Sequence, residues 1–280
     1  MVGPAAHRVP LGSAARAARQ SLRRARRRRQ QLLLATAAAL GLAFGALLYV
    51  RFQPPDPLRL AQEARPASAE AVNPALEGQV VAVTGPLRAE GLLGDPGLLR
   101  PGGYIELWRE VEIFAWHEDH IGPQGPRYEL RWGPDPPATS EMKQPEGHEN
   151  PPIVLRSEVL NVPRAWVGAL RFDPVRARLR AQPLPLSPEM LEDQRHRLSD
   201  GYLYVGKGTA QAPQIGDARI RYHAVPTGQL VTLFGAQQGD KIVPAHDVRG
   251  TRLYHLLPGP YEEALRELPA LLWQKPMLLR

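Results

Sequence analysis

From residue 76 onward, apolar and polar positions repeat every second residue in a series of short runs, the period of a half-buried strand. The longest covers residues 104–118. Glu106, Trp108, Glu110, Glu112, Phe114 and Trp116 share one parity, while Ile105, Leu107, Arg109, Val111, Ile113 and Ala115 share the other. This predicts a long or bent strand with Val111, Ile113 and Ala115 on its apolar face. Residues 128–133 form a second strand, and the Gly/Pro-rich 121–126 makes the two a hairpin. Further strands are expected at residues 79–85, 153–155, 166–172 and 202–206. Residues 217–225 place Ala218, Ile220, Tyr222 and Ala224 on one face, with Arg219, Arg221 and His223 on the other. Pro226-Thr227-Gly228 turns this strand into 229–236, Gly239-Asp240 turns that into 241–245, and 251–257 closes the clearest meander in the chain.

Two stretches carry helix signals. Residues 187–198 begin with Ser187 as cap and Pro188 at the first helical position, and residues 261–268 stop at Pro269. Gly78-Gln79-Val80-Val81 echoes Gly228-Gln229-Leu230-Val231, each leading to a glycine, at 85 and 235. Two strands with similar turns produce such an echo more readily than a duplicated module. The expected fold class is α+β: a mainly antiparallel β domain with one or two short helices, preceded by one N-terminal transmembrane helix.

That helix is the one place where alternation gives way to a continuous run. Residues 32–50 contain no charge, and 19 helical residues span about 28 Å, close to the thickness of a hydrocarbon core. Arg26, Arg27, Arg28 and Arg29 precede the run and Arg51 follows it. The basic flank keeps the tail on the cytoplasmic side, and Tyr49 and Phe52 fall near the far interface. A cleaved signal peptide or a twin-arginine signal fits less well, because the run is long and ends in Leu-Leu-Tyr-Val-Arg-Phe. The expected organisation is a basic cytoplasmic tail (1–31), a signal anchor (32–52), a Pro/Ala-rich spacer (53–75), an extracytoplasmic or luminal β-rich domain (76–268) and a C-terminal segment (269–280). The expected location is a bacterial inner membrane with a periplasmic domain, or the endoplasmic reticulum and nuclear-envelope lumen in a eukaryote.

Charge then changes meaning. Lys and Arg number 35 against 28 Asp and Glu, for +7 and a pI near 10.0, which points at first to nucleic acid. Nine of those arginines, and no acidic residue, lie within residues 1–31, so the remainder is near neutral. The charge reports orientation, and no nucleic-acid partner is expected. The tail's arginines also suit contact with anionic lipid headgroups. The absence of cysteine removes disulfides, thiolate metal sites and cysteine nucleophiles.

Candidate chemistry is sparse. Gly201-Tyr202-Leu203-Tyr204-Val205-Gly206-Lys207-Gly208 nearly spells a phosphate-binding loop, but glycine stands where a hydroxyl is needed, and Gln211-Ala212-Pro213 opposes the following helix. His117-Glu118-Asp119-His120 with His148-Glu149 offers metal-capable side chains; His117, His120, His148 and Glu149 are the candidate ligands of a metal-binding or hydrolytic alternative. The two histidines of HEDH are three apart on a strand end, so a polar loop is the stronger reading. Trp108, Trp116, Trp132, Trp166 and Trp273 fill or border the core. No catalytic residues, cofactor or small-molecule substrate are expected.

The order of the motifs resembles a known family. It runs Leu76-Glu77-Gly78 with Val80-Val81 and Gly85; Leu92-Leu93-Gly94-Asp95; Arg109-Glu110-Val111-Glu112-Ile113-Phe114-Ala115-Trp116; Tyr128 with Trp132; and Gly147-His148-Glu149-Asn150-Pro151. It continues through Val167-Gly168 with Phe172, Val205 with Gly216-Asp217-Ala218-Arg219-Ile220, Val231-Thr232 with Ala236-Gln237-Gln238-Gly239-Asp240, and Glu262-Glu263-Ala264. This series, from about residue 73 to 268, resembles the LUMA family (transmembrane protein 43). The resemblance implies a membrane protein with a large extracytoplasmic or luminal domain and no enzymatic activity or cofactor. In animals it implies the endoplasmic reticulum and inner nuclear membrane, with partners such as emerin and lamins. The expected function is therefore a membrane-anchored scaffold acting through protein partners or a homo-oligomer. The family continues into carboxy-terminal membrane helices, and residues 271–280 read as the approach to such a span. A chain cut short and a member with a single anchor both fit.

Overall fold

The computed structural model describes residues 36, 40–45, 49, 56–120 and 125–273, and divides into two units, 1–55 and 56–280. In the first, Thr36, residues 40–45 and Tyr49 are helical, with Leu40, Leu42 and Phe44 exposed. The basic tail and the rest of the expected anchor lie outside the described residues. Among the described residues, no helix is long and apolar enough to cross a membrane.

The second unit opens on helix α1 (Pro57–Gln62), where the Asp56 carboxylate accepts the Arg59 N–H at 3.1 Å and Pro57 takes the first turn. Strand β1 (Arg65–Ala67) then runs parallel to β2 (Val80–Ala89). The stretch expected to be a spacer thus carries two packed elements from Asp56 on. Leu60, Ala61 and Ala64 are buried against Phe234 and Leu257, contacts that one turn of helical pattern does not announce.

A small hairpin, β3 (Leu93–Asp95) with β4 (Leu99–Gly102), precedes β5 (Tyr104–His120) and β6 (Pro126–Gly133). The last two form the expected hairpin, and Val111, Ile113 and Ala115 are buried. Short strands follow: β7 (Glu158–Asn161), β8 (Ala165–Val167), β9 (Leu170–Phe172), β10 (Arg178–Leu179), β11 (Gln182–Pro183), β12 (Arg197–Ser199) and β13 (Tyr202–Val205). Then come β14 (Ala218–Pro226), β15 (Leu230–Gln238), β16 (Lys241–Val243), β17 (Ala245–His246), β18 (Arg252–Leu253), β19 (His255–Pro258) and helix α2 (Tyr261–Trp273).

These strands make two principal sheets. In the first, β2 pairs with β8, β8 with β9, β9 with β16, β16 with β15, and β15 again with β2, so five strands close into a ring. Its interior is filled by Val81, Val83, Val167, Leu170, Val231 and Leu233, all at most 1% exposed. The two echoing segments lie side by side here, with Val81 opposite Gly235 and Gly85 opposite Val231. Helices α1 and α2 cover the outside through Leu60, Phe234, Leu257, Ala264 and Leu268. The second sheet runs β12-β13-β14-β5-β6, with β7 beside β5 and β11 beside β14. Its core face carries Leu107, Val111, Ile113, Leu203, Ile220 and Tyr222.

Three expectations are corrected. The apparent meander is broken, because β14 pairs with β5 and β13 whereas β15 pairs with β2, β16 and β19. The turn at Pro226-Thr227-Gly228 carries the chain from one sheet to the other, since both edges of β14 are already taken. The expected helix at 187–198 is only a 3-10 turn, Pro188–Met190. Leu191 is buried and bridges to Leu99, and Glu192 bonds to the 97–98 backbone, so the chain runs extended along that turn. Finally, Pro269 lies inside α2 and does not end it. The proline forfeits one helical hydrogen bond, but Leu268 and Leu271 on either side of it are both buried.

Candidate functional site

Alternation along β5 distributes the polar residues between two very different environments. Its core parity would be wholly apolar up to Ala115 were it not for Arg109, which is 8% exposed. One terminal nitrogen of its guanidinium lies 2.7 and 2.9 Å from the two oxygens of Asp95, which is 3% exposed. The other donates to Glu158 at 2.8 Å, and Nε donates to the Arg156 carbonyl at 3.0 Å. Tyr222, opposite Arg109 on β14, donates its hydroxyl to Asp95 at 2.6 Å. Burial, and then the hydrogen bond to Asp95, push the Tyr222 phenol well above its ordinary range. Every strong donor in this centre has an acceptor, as a buried ion pair requires.

The opposite face of the same sheet is half-exposed and aromatic. Glu112 pairs with Arg219 at 2.6 Å and Glu110 with Arg221 at 3.5 Å, each across the β5–β14 register. The Arg219 guanidinium lies 4.9 Å from the centre of the Trp132 ring and 4.6 Å from that of Tyr202, which Arg221 also covers at 4.8 Å. Phe114 and Tyr204 flank Trp132, and Trp108 stacks on His223 at 4.5 Å. Burial lowers the His223 pKa. Lower on the face, Glu106 has its carboxyl pushed up to about 7 by burial. The cations are held by carboxylates and rings of the same face, so their charges are met within the face itself.

Of the candidate metal ligands, His117, His148 and Glu149 do not converge, and the His120 side chain lies outside the described residues. His117 falls on the core parity of β5, is 7% exposed, and has Nε2 without a hydrogen-bond partner. It fits against Gly133, where a Cβ would fall 2.7 Å from the imidazole ring. Burial first, then Arg131, lower its pKa. His148 lies on the other face, stacked on Tyr128 at 3.9 Å and edge-on to Trp116 at 4.8 Å. The Glu149 carboxylate accepts the Gly147 N–H within its own turn, and His120 ends β5 opposite Pro126. A period of two separates neighbours such as Trp116 and His117 onto opposite faces, so residues adjacent in sequence are parted. Among the described residues, no group of three His, Asp or Glu side chains could hold a metal ion.

The loop that resembles a phosphate cradle does hold an anion, but one of its own. Asp217 accepts the N–H groups of Lys207 at 2.9 Å, Gly208 at 3.0 Å and Gln214 at 2.7 Å. A Cβ on Gly208 would fall 2.3 Å from that carboxylate. No helix follows Gly208. A cavity of about 580 Å³ opens beside this loop, lined by His196, Arg197, Tyr204, Lys207 and Thr209 among others. Sequence reasoning missed both the Asp95–Arg109 centre and the Asp217 clasp. The signal for the first was an arginine on an apolar parity. For the second it was a pair of glycines flanking a lysine, followed closely by Gly216-Asp217.

Residues 125–266, half of the chain, match the family described as Transmembrane protein 43. The chain is 24% identical over 227 residues to Transmembrane protein 43 of Rattus norvegicus, covering 72% of this chain and 56% of that protein. It is likewise 24% identical to the Mus musculus protein over 235 residues, covering 72% and 56%, and to the Homo sapiens protein over 220 residues, covering 70% and 54%. The chain thus spans about half the length of the curated relatives it matches. No solved structure matches it.

Proposed function

Because the chain belongs to the transmembrane protein 43 family, a family of membrane proteins by name, we propose that it is a non-enzymatic scaffold anchored in a membrane. Residues 32–50 are the anchor, the arginine-rich tail is cytoplasmic, and the β domain from Asp56 onward works on the opposite side through protein contacts. The observation that carries this reading is the outer face of the second sheet. A reaction centre needs polar groups converging on a space where substrate can sit. Here Arg219 and Arg221 are spent on Glu112, Glu110 and the rings of Trp132 and Tyr202, which favours a broad contact surface. Tyr, Trp and Arg are the residue types that dominate protein interfaces.

Photo-crosslinking of the full chain in its native membrane tests the reading. A probe placed on this outer face at Tyr204 is expected to trap a discrete protein adduct. A chain recovered only as uncrosslinked monomer, from that site and from others over the domain surface, would overturn it.

A further inference from the structure

β6 is the last strand of the second sheet. Its inner edge pairs with β5 along its whole length, from Pro126 to Gly133, and no other described residue hydrogen-bonds to its backbone. Eight residues of open edge are a template for another strand, and an edge that must stay single is commonly guarded by inward-pointing or like-signed charge. The charges on β6 alternate in sign along one face: Arg127, Glu129, Arg131. Glu129 pairs with Arg131 at 3.8 Å and Arg131 reaches Asp119 at 3.5 Å, yet Glu129 and Arg131 keep 52% and 40% of their side chains exposed, so both remain within reach of a partner strand.

We propose that β6 pairs antiparallel with β6 of a second copy of this chain, about a two-fold axis through Leu130. The proposal rests on the protein-contact reading above and names the partner. A two-fold axis perpendicular to the sheet keeps each face with its like, so only registers that put a residue on the axis are allowed. With Leu130 on the axis, seven residues on each copy pair, 127–133. Glu129 then faces Arg131 of the second copy, twice. Arg127 faces Gly133, which has no side chain to repel it, and Tyr128 faces Trp132. Moving the axis to Glu129 sets Arg127 against Arg131 and Glu129 against itself. Moving it to Arg131 sets that arginine against its own copy, and moving it to Tyr128 leaves only residues 126–130 paired. Directly opposed charges of opposite sign and opposed aromatics are the pairs that stabilise an antiparallel ladder. The result is one continuous sheet across two molecules.

The chain has no cysteine, so a single introduced thiol cannot form a disulfide within one chain, and a crosslinked product of twice the chain's mass reports a bond between copies. Leu130→Cys puts two facing Cα atoms about 4.5–5.5 Å apart, within disulfide reach. The full chain carrying Leu130→Cys, oxidised in its native membrane with copper–phenanthroline, is expected to give a disulfide-linked dimer. Ser199→Cys on β12, the opposite edge of the sheet, is expected not to. Adding Glu129→Arg to Leu130→Cys opposes two arginine pairs and should cut the dimer severalfold; adding Arg131→Glu as well should restore it. Leu130→Cys crosslinking no better than Ser199→Cys overturns the proposal. So does a charge swap that fails to restore the dimer in variants that melt like the parent. A chain monomeric at Leu130 but trapped in adducts from other sites removes this interface and leaves the scaffold reading standing.

Discussion

The Tyr222 hydroxyl donates to the Asp95 carboxylate across 2.6 Å, and 127 residues of chain separate the two. That single bond ties the middle of β14 to the hairpin before β5, and Arg109 closes on the same carboxylate from between them. The Leu92-Leu93-Gly94-Asp95 and Arg109-Glu110 motifs, which look independent along the chain, are two halves of one buried ion pair. The sheet is pinned at its centre by this buried ion pair.

Asp95→Ala is therefore expected to destabilise strongly. It leaves a guanidinium buried and half-partnered and a tyrosine hydroxyl without an acceptor, a loss of about 3–5 kcal/mol. Urea unfolding of the full chain in detergent measures it. Tyr222→Phe, which keeps the ion pair, should cost only about 1–2 kcal/mol.

His255 is 5% exposed, accepts the Tyr254 N–H at Nδ1, and has Nε2 unpartnered in the interior. Burial, followed by Arg178 and Arg252, lowers its pKa from 6.5 to about 4. The unfolded chain takes up a proton below 6.5 that the fold refuses until about 4, so stability should fall as the pH drops through that interval. The pH dependence of the unfolding midpoint checks it. His255→Gln should flatten the fall between those values.

Glu106 works in the opposite sense. Burial raises its carboxyl from 4.5 to about 7, so its contribution is fully present below 4.5 and is lost as the pH rises to about 7. Glu106→Gln should raise the melting temperature at pH 8 and leave it nearly unchanged at pH 4.

The three N–H groups on Asp217 make a local prediction. An asparagine offers one acceptor oxygen where the carboxylate offers two, so Asp217→Asn keeps at most part of the clasp. Amide exchange at Lys207, Gly208 and Gln214 should accelerate at least tenfold, while Ile220 and Leu233 keep their protection. Uniform acceleration through the sheet would show that the clasp has a global role instead.

Topology has its own readout. Trypsin added to sealed inside-out vesicles should remove the arginine-rich tail and spare the domain from Asp56 onward. In right-side-out vesicles the tail should survive.

The faces of β5 and β14 were legible because alternation is a property of one strand alone. Val111, Ile113 and Ala115 had to point together whatever lay beneath them, and they are buried. The same rule puts Arg109 on that apolar parity, but it cannot show that Asp95 and Tyr222 answer it. The HEDH segment and His148 show the complementary case. Proximity in sequence suggested a cluster, but the strand sends His117 inward, while His148 packs against Trp116 and Tyr128 on the other face. In 53–75 too little pattern was present: Leu60 and Ala61 are core residues only because α2, Phe234 and Leu257 are there to receive them.

Sequence by itself determined the local directions: which residues of each strand face inward, that the excess charge is gathered in one tail, and the motif order shared with a family. These depend on a few neighbouring residues and on the fixed geometry of a strand. Tertiary structure alone decided which edges meet. It parted β14 from β15, closed β2, β8, β9, β16 and β15 into a ring, filled the phosphate-like loop with Asp217, and left β6 open. Strand pairing is a competition among all edges of the chain at once, and its outcome is set by which apolar faces can be covered together.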